Sequence, residues 1–281
     1  MKSPSIDTYT AIGASIVRSA MPALAVWLCA AAPALAQQTA AASSAKAPLS
    51  AAQKLMFDRP HLKKIHKPVV LIYDFQRKGM QLKKLGLAFK DRVRVIIDRV
   101  RAGGGKDISF EFFTGKHRLP YADIGNFHGN PILMLFLNND LRAQRRVLGG
   151  QVNYFRNRIR DALAAKARVE DVTVAGPSGT GAGGAATGGA IAGKKITITP
   201  YAGDRNRAKF KAYEHKVYEF ILAPGIPGEV YMLRSFVPNT DKSLPPLAEE
   251  TLKFASVAEL KPRSSGATAD RPRTSTREIK R

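Results

Sequence analysis

Residues 69–76 read Val-Val-Leu-Ile-Tyr-Asp-Phe-Gln, and every second side chain from the first valine onward is large and apolar. The same two-residue period recurs at 92–97, where arginines alternate with Val and Ile, and at 108–113. This alternation is typical of antiparallel strands that bury one face and expose the other. The Ala-Gly-Gly-Gly sequence at 102–105 predicts a tight hairpin turn between the second and third strands.

Strand patterns resume later in the chain, at 172–174, 195–199, 210–222 and 229–237. The last two flank an Ala-Pro-Gly-Ile-Pro-Gly sequence at 223–228, which is a strong turn signal. Together with the first three stretches, they predict one twisted antiparallel sheet of about six to eight strands.

The middle of the chain carries helical signals. An N-cap Asn and a first-turn Pro precede a long apolar run that two glycines end, and a second stretch with helical spacing follows. Residues 131–167 are therefore predicted to form a helical hairpin. A short C-terminal helix is predicted at 245–255, with Leu247, Thr251 and Phe254 as its buried stripe.

These elements predict an α+β fold. A twisted antiparallel sheet, of which a half-barrel is one form, would be covered on its concave face by the helical hairpin and the short C-terminal helix. Residues 69–148 and 194–256 each read as three strands followed by a helix. Because the two segments share no residue-level similarity, an internal duplication stays open.

The first 36 residues have the pattern of a secretory signal peptide. Lys2 and Arg18 provide a basic start, 20–32 is an apolar run, and Ala34-Leu35-Ala36 precedes Gln37. Cleavage near Ala36/Gln37 would deliver the protein to the periplasm or beyond, and an uncleaved anchor is the alternative.

The predicted domain layout follows from composition. Residues 37–53 are a flexible lead-in, 54–258 a single α+β domain, and 259–281 a disordered basic tail. A Gly/Ala-rich stretch at 176–193 is predicted to be a disordered loop within the domain. The only cysteine, Cys29, lies in the predicted signal peptide, so the mature protein would have no disulfide and no cysteine nucleophile.

The formal net charge of +23 points to an anionic partner. For an exported protein the available polyanions are components of the cell envelope, so peripheral membrane contact is expected more than nucleic-acid binding. Arginines concentrate in the predicted hairpin, and a solvated helix face or pairing with sheet carboxylates is the structural alternative. The predicted anion-binding residues are Arg142, Arg145, Arg146, Arg156, Arg158 and Arg160.

A second predicted group is apolar. It would line a ligand cavity between sheet and hairpin or fill an ordinary core, which is the commoner state of such residues. Its members are Phe110, Phe112, Leu133, Phe136 and Tyr154.

Signals for catalysis are weak. Gly188–Lys194 fits the start of a phosphate-binding loop, but Lys195 stands where Ser or Thr is needed, and strand-like residues follow. His117, Asp123 and His128 are the weak candidates for a metal or hydrolase site. No cofactor is expected.

Several segments resemble uncharacterised secreted proteins of proteobacteria. They are Asn130-Pro131, Gly149–Arg160 and Pro227–Tyr231. That resemblance implies export but no activity. Separately, the layout is similar to that of periplasmic lipoprotein-carrier folds, in which a half-barrel holds acyl chains against covering helices.

The sequence therefore predicts an exported, non-enzymatic protein that binds an anionic or amphiphilic component of the cell envelope. Two alternatives stay open. One is a periplasmic hydrolase or metal-dependent enzyme that uses the loop His and Asp residues. The other is a basic module that binds nucleic acid through its tail and its arginine-rich helix.

Overall fold

One antiparallel sheet of nine strands organises the part of the chain that the structure describes. The structure is a computed structural model and describes residues 48–80, 86–176 and 189–260. All of them belong to a single compact unit. The predicted signal peptide, residues 37–47 of the lead-in and residues 261–281 of the tail lie outside the described residues.

The strands divide into four before the helical hairpin and five after it. Those before it are β1 (Val69–Lys78), β2 (Phe89–Val100), β3 (Lys106–Phe112) and β4 (Ile124–Phe127). Those after it are β5 (Arg168–Ala175), β6 (Ala190–Ile198), β7 (Val217–Leu222), β8 (Val230–Val237) and β9 (Ala248–Glu259).

The described residues contain four α-helices, of which two are long. They are α1 (Ala51–Gln53, which continues as a π-helical turn over Lys54–Asp58), α2 (Ile132–Leu148), α3 (Val152–Ala165) and α4 (Arg207–Phe210). The predicted α+β class is confirmed, and so is the helical hairpin, which α2 and α3 form. No helix within the described residues is both long and apolar enough to cross a bilayer.

The strand order is β4-β3-β2-β1-β9-β8-β7-β6-β5. Each half of the sheet is an antiparallel meander, and the two halves join where β1 pairs with β9 in the middle. The α2–α3 hairpin carries the chain from one edge strand, β4, to the other, β5. Because these two edges are not paired with each other, the sheet is not closed.

The predicted turn between β2 and β3 is confirmed. The Arg101 N–H donates to the Gly105 carbonyl across 2.8 Å, and Gly104 adopts a φ of +81° that glycine tolerates best.

The core lies between one face of the sheet and the helical hairpin. Along β1 the predicted apolar side chains are buried, and Tyr73 lies between Val93 of β2 and Phe254 of β9. Phe136 of α2 and Phe155 of α3 are buried in the same cluster. Burial of this apolar surface is the main favourable term in folding the domain.

The predicted C-terminal helix at 245–255 is wrong, because that segment enters β9. Ala248, Leu252 and Phe254 alternate inward, as a strand requires, but Glu250 occupies the inward position between them. A buried glutamate hid the two-residue period, while Leu247, Thr251 and Phe254 happened to fit a helical one. The repeated layout of three strands and a helix is therefore not present.

Other boundaries also differ from the prediction. The sheet gains β4 as well as β9, and the predicted strand at 210–222 begins as a helical turn that includes Lys211–His215 before β7 starts. At the end of the predicted lead-in, Ser50 caps α1 by accepting a hydrogen bond from the Gln53 N–H.

The glycine-rich stretch is not wholly a loop. Residues 190–193 belong to β6, and residues 177–188 lie outside the described part of the chain. A Cβ at Gly193 would lie 2.8 Å from the Leu222 carbonyl oxygen, so this glycine permits the close approach of β7.

Candidate functional site

The exposed arginines of the α2–α3 hairpin form the candidate site. We define the hairpin arginines as Arg142, Arg145, Arg146, Arg156 and Arg160, all of which are exposed. The helical period explains their position, because α2 turns apolar side chains such as Leu141 to the core and leaves Arg142 and Arg145 outside. The Gly149-Gly150 turn then brings the start of α3 next to the end of α2.

The hairpin arginines differ from the sheet arginines in their pairing. Within the described part of the chain, Arg142, Arg145 and Arg146 form no ion pair with a carboxylate. Arg156 donates to the Asn153 side-chain oxygen across 2.7 Å, and Arg160 lies 3.7 Å from Asp161.

On the sheet, by contrast, cross-strand neighbours neutralise one another. Arg94 on β2 contacts Glu111 on β3 at 2.7 Å, and Arg234 on β8 contacts Glu219 at 3.0 Å and Glu249 at 3.1 Å. Pairing with sheet carboxylates, the alternative considered from the sequence, therefore describes the sheet arginines and not the hairpin arginines.

Arg158 is the exception among the predicted anion-binding residues. Its Nε lies 2.8 Å from Asp204 Oδ2, and its guanidinium lies 5.0 Å above the Tyr154 ring. Tyr154 in turn donates from its hydroxyl to Asp204 across 2.6 Å. Burial opposes ionisation of Asp204, but the Tyr154 and Asn206 hydrogen bonds and the Arg158 charge lower its pKa below the usual range. Arg158 thus ties α3 to the loop before α4.

The predicted apolar residues fill the core. Phe112, Leu133 and Phe136 are buried, and Phe110 and Tyr154 pack against them while staying partly exposed. These side chains therefore belong to the hydrophobic core cluster or pack against it.

The weak metal or hydrolase candidates do not assemble. The His117 ring stacks on Phe89 with ring centroids 4.1 Å apart, while Asp123 and His128 are exposed. Within the described residues, no group of three or more His, Cys, Asp or Glu side chains is arranged to hold a metal ion.

A buried polar network beneath α2 was not predicted from the sequence. Its centre is the Asp140 carboxylate, which accepts from Lys216 Nζ across 2.5 Å and from Tyr218 across 2.6 Å. Gln144 and Ser235 donate to the same carboxylate. Burial raises the pKa of Tyr218 far above its ordinary value, so the hydroxyl stays protonated and remains a donor.

A second buried ion pair is electrostatically linked to this network. Arg77 and Glu250 are direct neighbours across β1 and β9, with Arg77 Nη2 lying 2.6 Å from Glu250 Oε1. Burial raises the pKa of Glu250, and the Asp140 charge adds to that effect, while Arg77 opposes it. Together the two pairs contribute two buried cations and two buried anions, so their own formal charges cancel.

Two segments that are distant in sequence meet at the start of α2. Asn130 donates from Nδ2 to the Gly228 carbonyl across 2.9 Å and to the Tyr73 hydroxyl across 3.0 Å. Its Oδ1 accepts from the Ile132 N–H and caps the helix. Asn130 therefore joins the helix to the turn before β8. The predicted N-cap role accounts for its hydrogen bond to Ile132 but not for those to Gly228 and Tyr73.

Within the described part of the chain, Arg142, Arg145 and Arg146 are the predicted residues that are exposed and have no carboxylate partner. No protein-family model and no curated protein matches this chain.

Proposed function

We propose that this protein binds an anionic component of the cell envelope, without catalysis, through the hairpin arginines. The observation that carries the proposal is the contrast in pairing. Sheet arginines such as Arg94 and Arg234 have carboxylate partners, whereas Arg142, Arg145 and Arg146 are exposed without one in the described part of the chain.

Arginine is suited to this task because its planar guanidinium donates two parallel hydrogen bonds to a phosphate or carboxylate. An exposed guanidinium without a protein partner gives up little when it binds such a group. The formal net charge of +23 would also speed the encounter with a negatively charged surface.

The signal-peptide pattern of residues 1–36 supports the envelope as the place of binding, since anionic lipid head groups are abundant there. The proposal does not include a carrier cavity for acyl chains. Leu133 and Phe136, which would line it, are buried in the core.

The test compares two variants that each lose three positive charges. In the first, Arg142, Arg145 and Arg146 are changed to Gln; in the control, Arg92, Arg94 and Arg99 on the sheet are changed to Gln. Arg92 and Arg99 are exposed and Arg94 is half-exposed, and each has a carboxylate partner, at 3.3, 3.9 and 2.7 Å respectively. Binding is measured by co-sedimentation with phosphatidylglycerol vesicles at low and physiological ionic strength.

We expect the hairpin variant to bind about 100-fold more weakly, since each basic residue near an anionic membrane contributes about 1 kcal/mol. The control should stay within about threefold of the unchanged protein, because its arginines already contact carboxylates. Equal losses in the two variants would show that binding follows net charge alone and would contradict the proposal. Tight binding to duplex DNA without binding to the vesicles would support the nucleic-acid alternative instead.

A further inference from the structure

A cleft of about 200 Å³, lined by none of the hairpin arginines, lies beside the turn that precedes β8. Its polar wall contains Arg59, Asp171, Lys194 and Glu229, and Leu222 and Pro224 contribute to its apolar wall. We call it the Glu229 cleft. Five separate parts of the chain build it: the segment after α1, strands β5, β6 and β7, and the 223–229 turn.

Glu229 is held in an unusual way. Its φ is +57°, a left-handed conformation that glycine adopts without strain but glutamate does not. Its side chain is only 7% exposed, and both carboxylate oxygens accept from the Arg59 guanidinium. The turn that fixes this geometry is closed by the Glu229 N–H, which donates to the Ile226 carbonyl across 2.8 Å. A buried, charged carboxylate is thus fixed at the edge of a cleft.

The lining of the cleft also contains a second ion pair. Lys194 on β6 and Asp171 on β5 are cross-strand neighbours, and Lys194 Nζ lies 2.6 Å from Asp171 Oδ1. The Lys194 side chain is 45% exposed and that of Arg59 39% exposed, so both cations keep hydrogen-bonding capacity for a ligand. The cleft therefore presents two cations and two anions to whatever enters it.

His61 lies behind the Arg59–Glu229 pair and does not alter this balance. Its Nε2 donates to the Leu55 carbonyl across 2.9 Å, and its Nδ1 has no hydrogen-bond partner among the described residues. Burial lowers the pKa of His61, although the Leu55 hydrogen bond and the Glu229 charge oppose that shift. The ring is neutral at pH 7, which leaves Arg59 as the partner of Glu229.

We propose that the Glu229 cleft binds a free amino acid with an aliphatic side chain. The ammonium group would face the carboxylates of Glu229 and Asp171, and the carboxylate would face Arg59 and Lys194. A ligand with a single charge complements one member of each pair and is repelled by the other. The apolar wall at Leu222 and Pro224 would receive the side chain.

The volume agrees with this ligand class. The cleft volume of about 200 Å³ lies below the roughly 300–1,000 Å³ of pockets that take drug-sized ligands, which agrees with a small ligand such as an amino acid. The inference is independent of the proposed envelope binding, because it uses none of the hairpin arginines.

The first test uses three ligands of matched shape on the ¹⁵N-labelled protein, followed by NMR. L-leucine carries both charges, 4-methylpentanoate lacks the ammonium group, and 3-methylbutylamine lacks the carboxylate. We expect L-leucine to shift the amide signals of Gly193, Leu222 and Glu229 in a saturable way. Each single-charge analogue should bind at least about tenfold more weakly, because one charge-assisted pairing is lost. No saturable shift with L-leucine, or equal binding of the three compounds, would overturn the proposal.

The second test uses variants. Glu229→Gln removes the carboxylate charge at constant size, and Lys194→Gln removes a half-exposed cation. Each should weaken L-leucine binding about tenfold or more. Lys67→Gln is the matched control, because Lys67 pairs with Glu259 on an exposed surface away from the cleft. Should Glu229→Gln fail to fold, Lys194→Gln decides alone. Unchanged affinity in Lys194→Gln would refute the site, while vesicle binding by the same variant reports separately on the hairpin.

Discussion

Asp140 shows how strongly a single buried side chain depends on its surroundings. It is 2% exposed, and its carboxylate accepts hydrogen bonds from Lys216, Tyr218, Gln144 and Ser235. Transfer of two charges from water is costly, and it is offset here because every oxygen lone pair has a well-placed donor. The network therefore selects one arrangement of α2 on the sheet.

Removal of one member of the Asp140–Lys216 ion pair should reveal the free-energy cost of burying the other charge. We expect Asp140→Asn to lower the free energy of unfolding by about 3–5 kcal/mol, because the Lys216 charge would stay buried without a counter-charge. Urea denaturation measures the loss. The matched control is Glu111→Gln, which breaks a half-exposed pair with Arg94 and should cost about 1 kcal/mol or less.

The same network allows a stricter comparison. When Asp140→Leu and Lys216→Met are combined, the uncompensated charge disappears, and the double variant should be more stable than Asp140→Asn alone. A double variant that is less stable than the single one would contradict the view that an unpaired buried charge is the dominant cost.

At the scale of elements, β9 is the strand that the local sequence pattern failed to predict. Strands β1, β2 and β3 were predictable because their inward positions are apolar, which makes the two-residue alternation visible in the sequence. The helical hairpin was predictable because the spacing of its apolar residues and the glycines at the end of its first helix both indicate helices. In β9 the inward Glu250 pairs with Arg77 on β1, and the two residues are far apart in sequence. No local pattern reveals a charge that is buried through a distant partner.

The residues of the candidate site also differ in how far the sequence could predict them. The exposed arginines of α2 follow from helical spacing alone, so their position was predictable. Arg158 was not separable from its neighbours, because its partner Asp204 lies beyond β5 and β6. The Glu229 cleft was not predicted, because the two residues of its ion pair, Arg59 and Glu229, are far apart in the sequence. The Pro-Gly turn at 227–228 was the only local sign.

Three glycines in turns between elements should differ in how strongly their replacement by alanine lowers the free energy of unfolding. An alanine Cβ at Gly103 meets nothing within 4 Å, whereas Gly149 has equally open space but a φ of +71°. At Gly228 the φ is +78° and the new Cβ would lie 2.7 Å from Leu71 Cδ1. Backbone strain acts at two of these sites and a steric clash at one.

We therefore expect Gly103→Ala to change the free energy of unfolding by less than about 0.5 kcal/mol. Gly149→Ala should cost about 1–3 kcal/mol from the backbone alone, because a φ of +71° combined with a ψ of −160° is a conformation that essentially only glycine adopts. Gly228→Ala should cost more than either, because the clash adds to the strain and disturbs Asn130. Thermal or urea unfolding of the three proteins checks the order, and a Gly103 variant as unstable as the Gly228 variant would contradict it.

At the scale of the whole molecule, the two meanders are joined by a single strand pair, β1 with β9, which we call the seam. β1 pairs with β2 on one side and with β9 on the other, and β9 pairs with β8. No sequence pattern predicts that the first strand and the last strand lie side by side, because strand order depends on which edges remain free once the hairpin has crossed the sheet. The α+β class was predictable and this arrangement was not.

The seam predicts how stability is distributed. The amides of Leu71 on β1 and Leu252 on β9 should exchange with solvent only through global unfolding, since both lie in the middle of the sheet. Amides of the edge strands β4 and β5 should exchange through smaller openings. Native-state hydrogen exchange followed by mass spectrometry or NMR measures both. Exchange of the whole β5–β8 region while β1–β3 stays protected would show that the halves unfold separately.

The pairing of β1 with β9 also bears on the order in which the chain can fold. A polypeptide that leaves the ribosome amino end first presents β1 long before β9 exists, and one flank of the central strand stays open until synthesis has passed residue 259. While that flank is open it can pair with the strand edges of other chains, and chaperones that cover it would prevent such pairing until β9 is available.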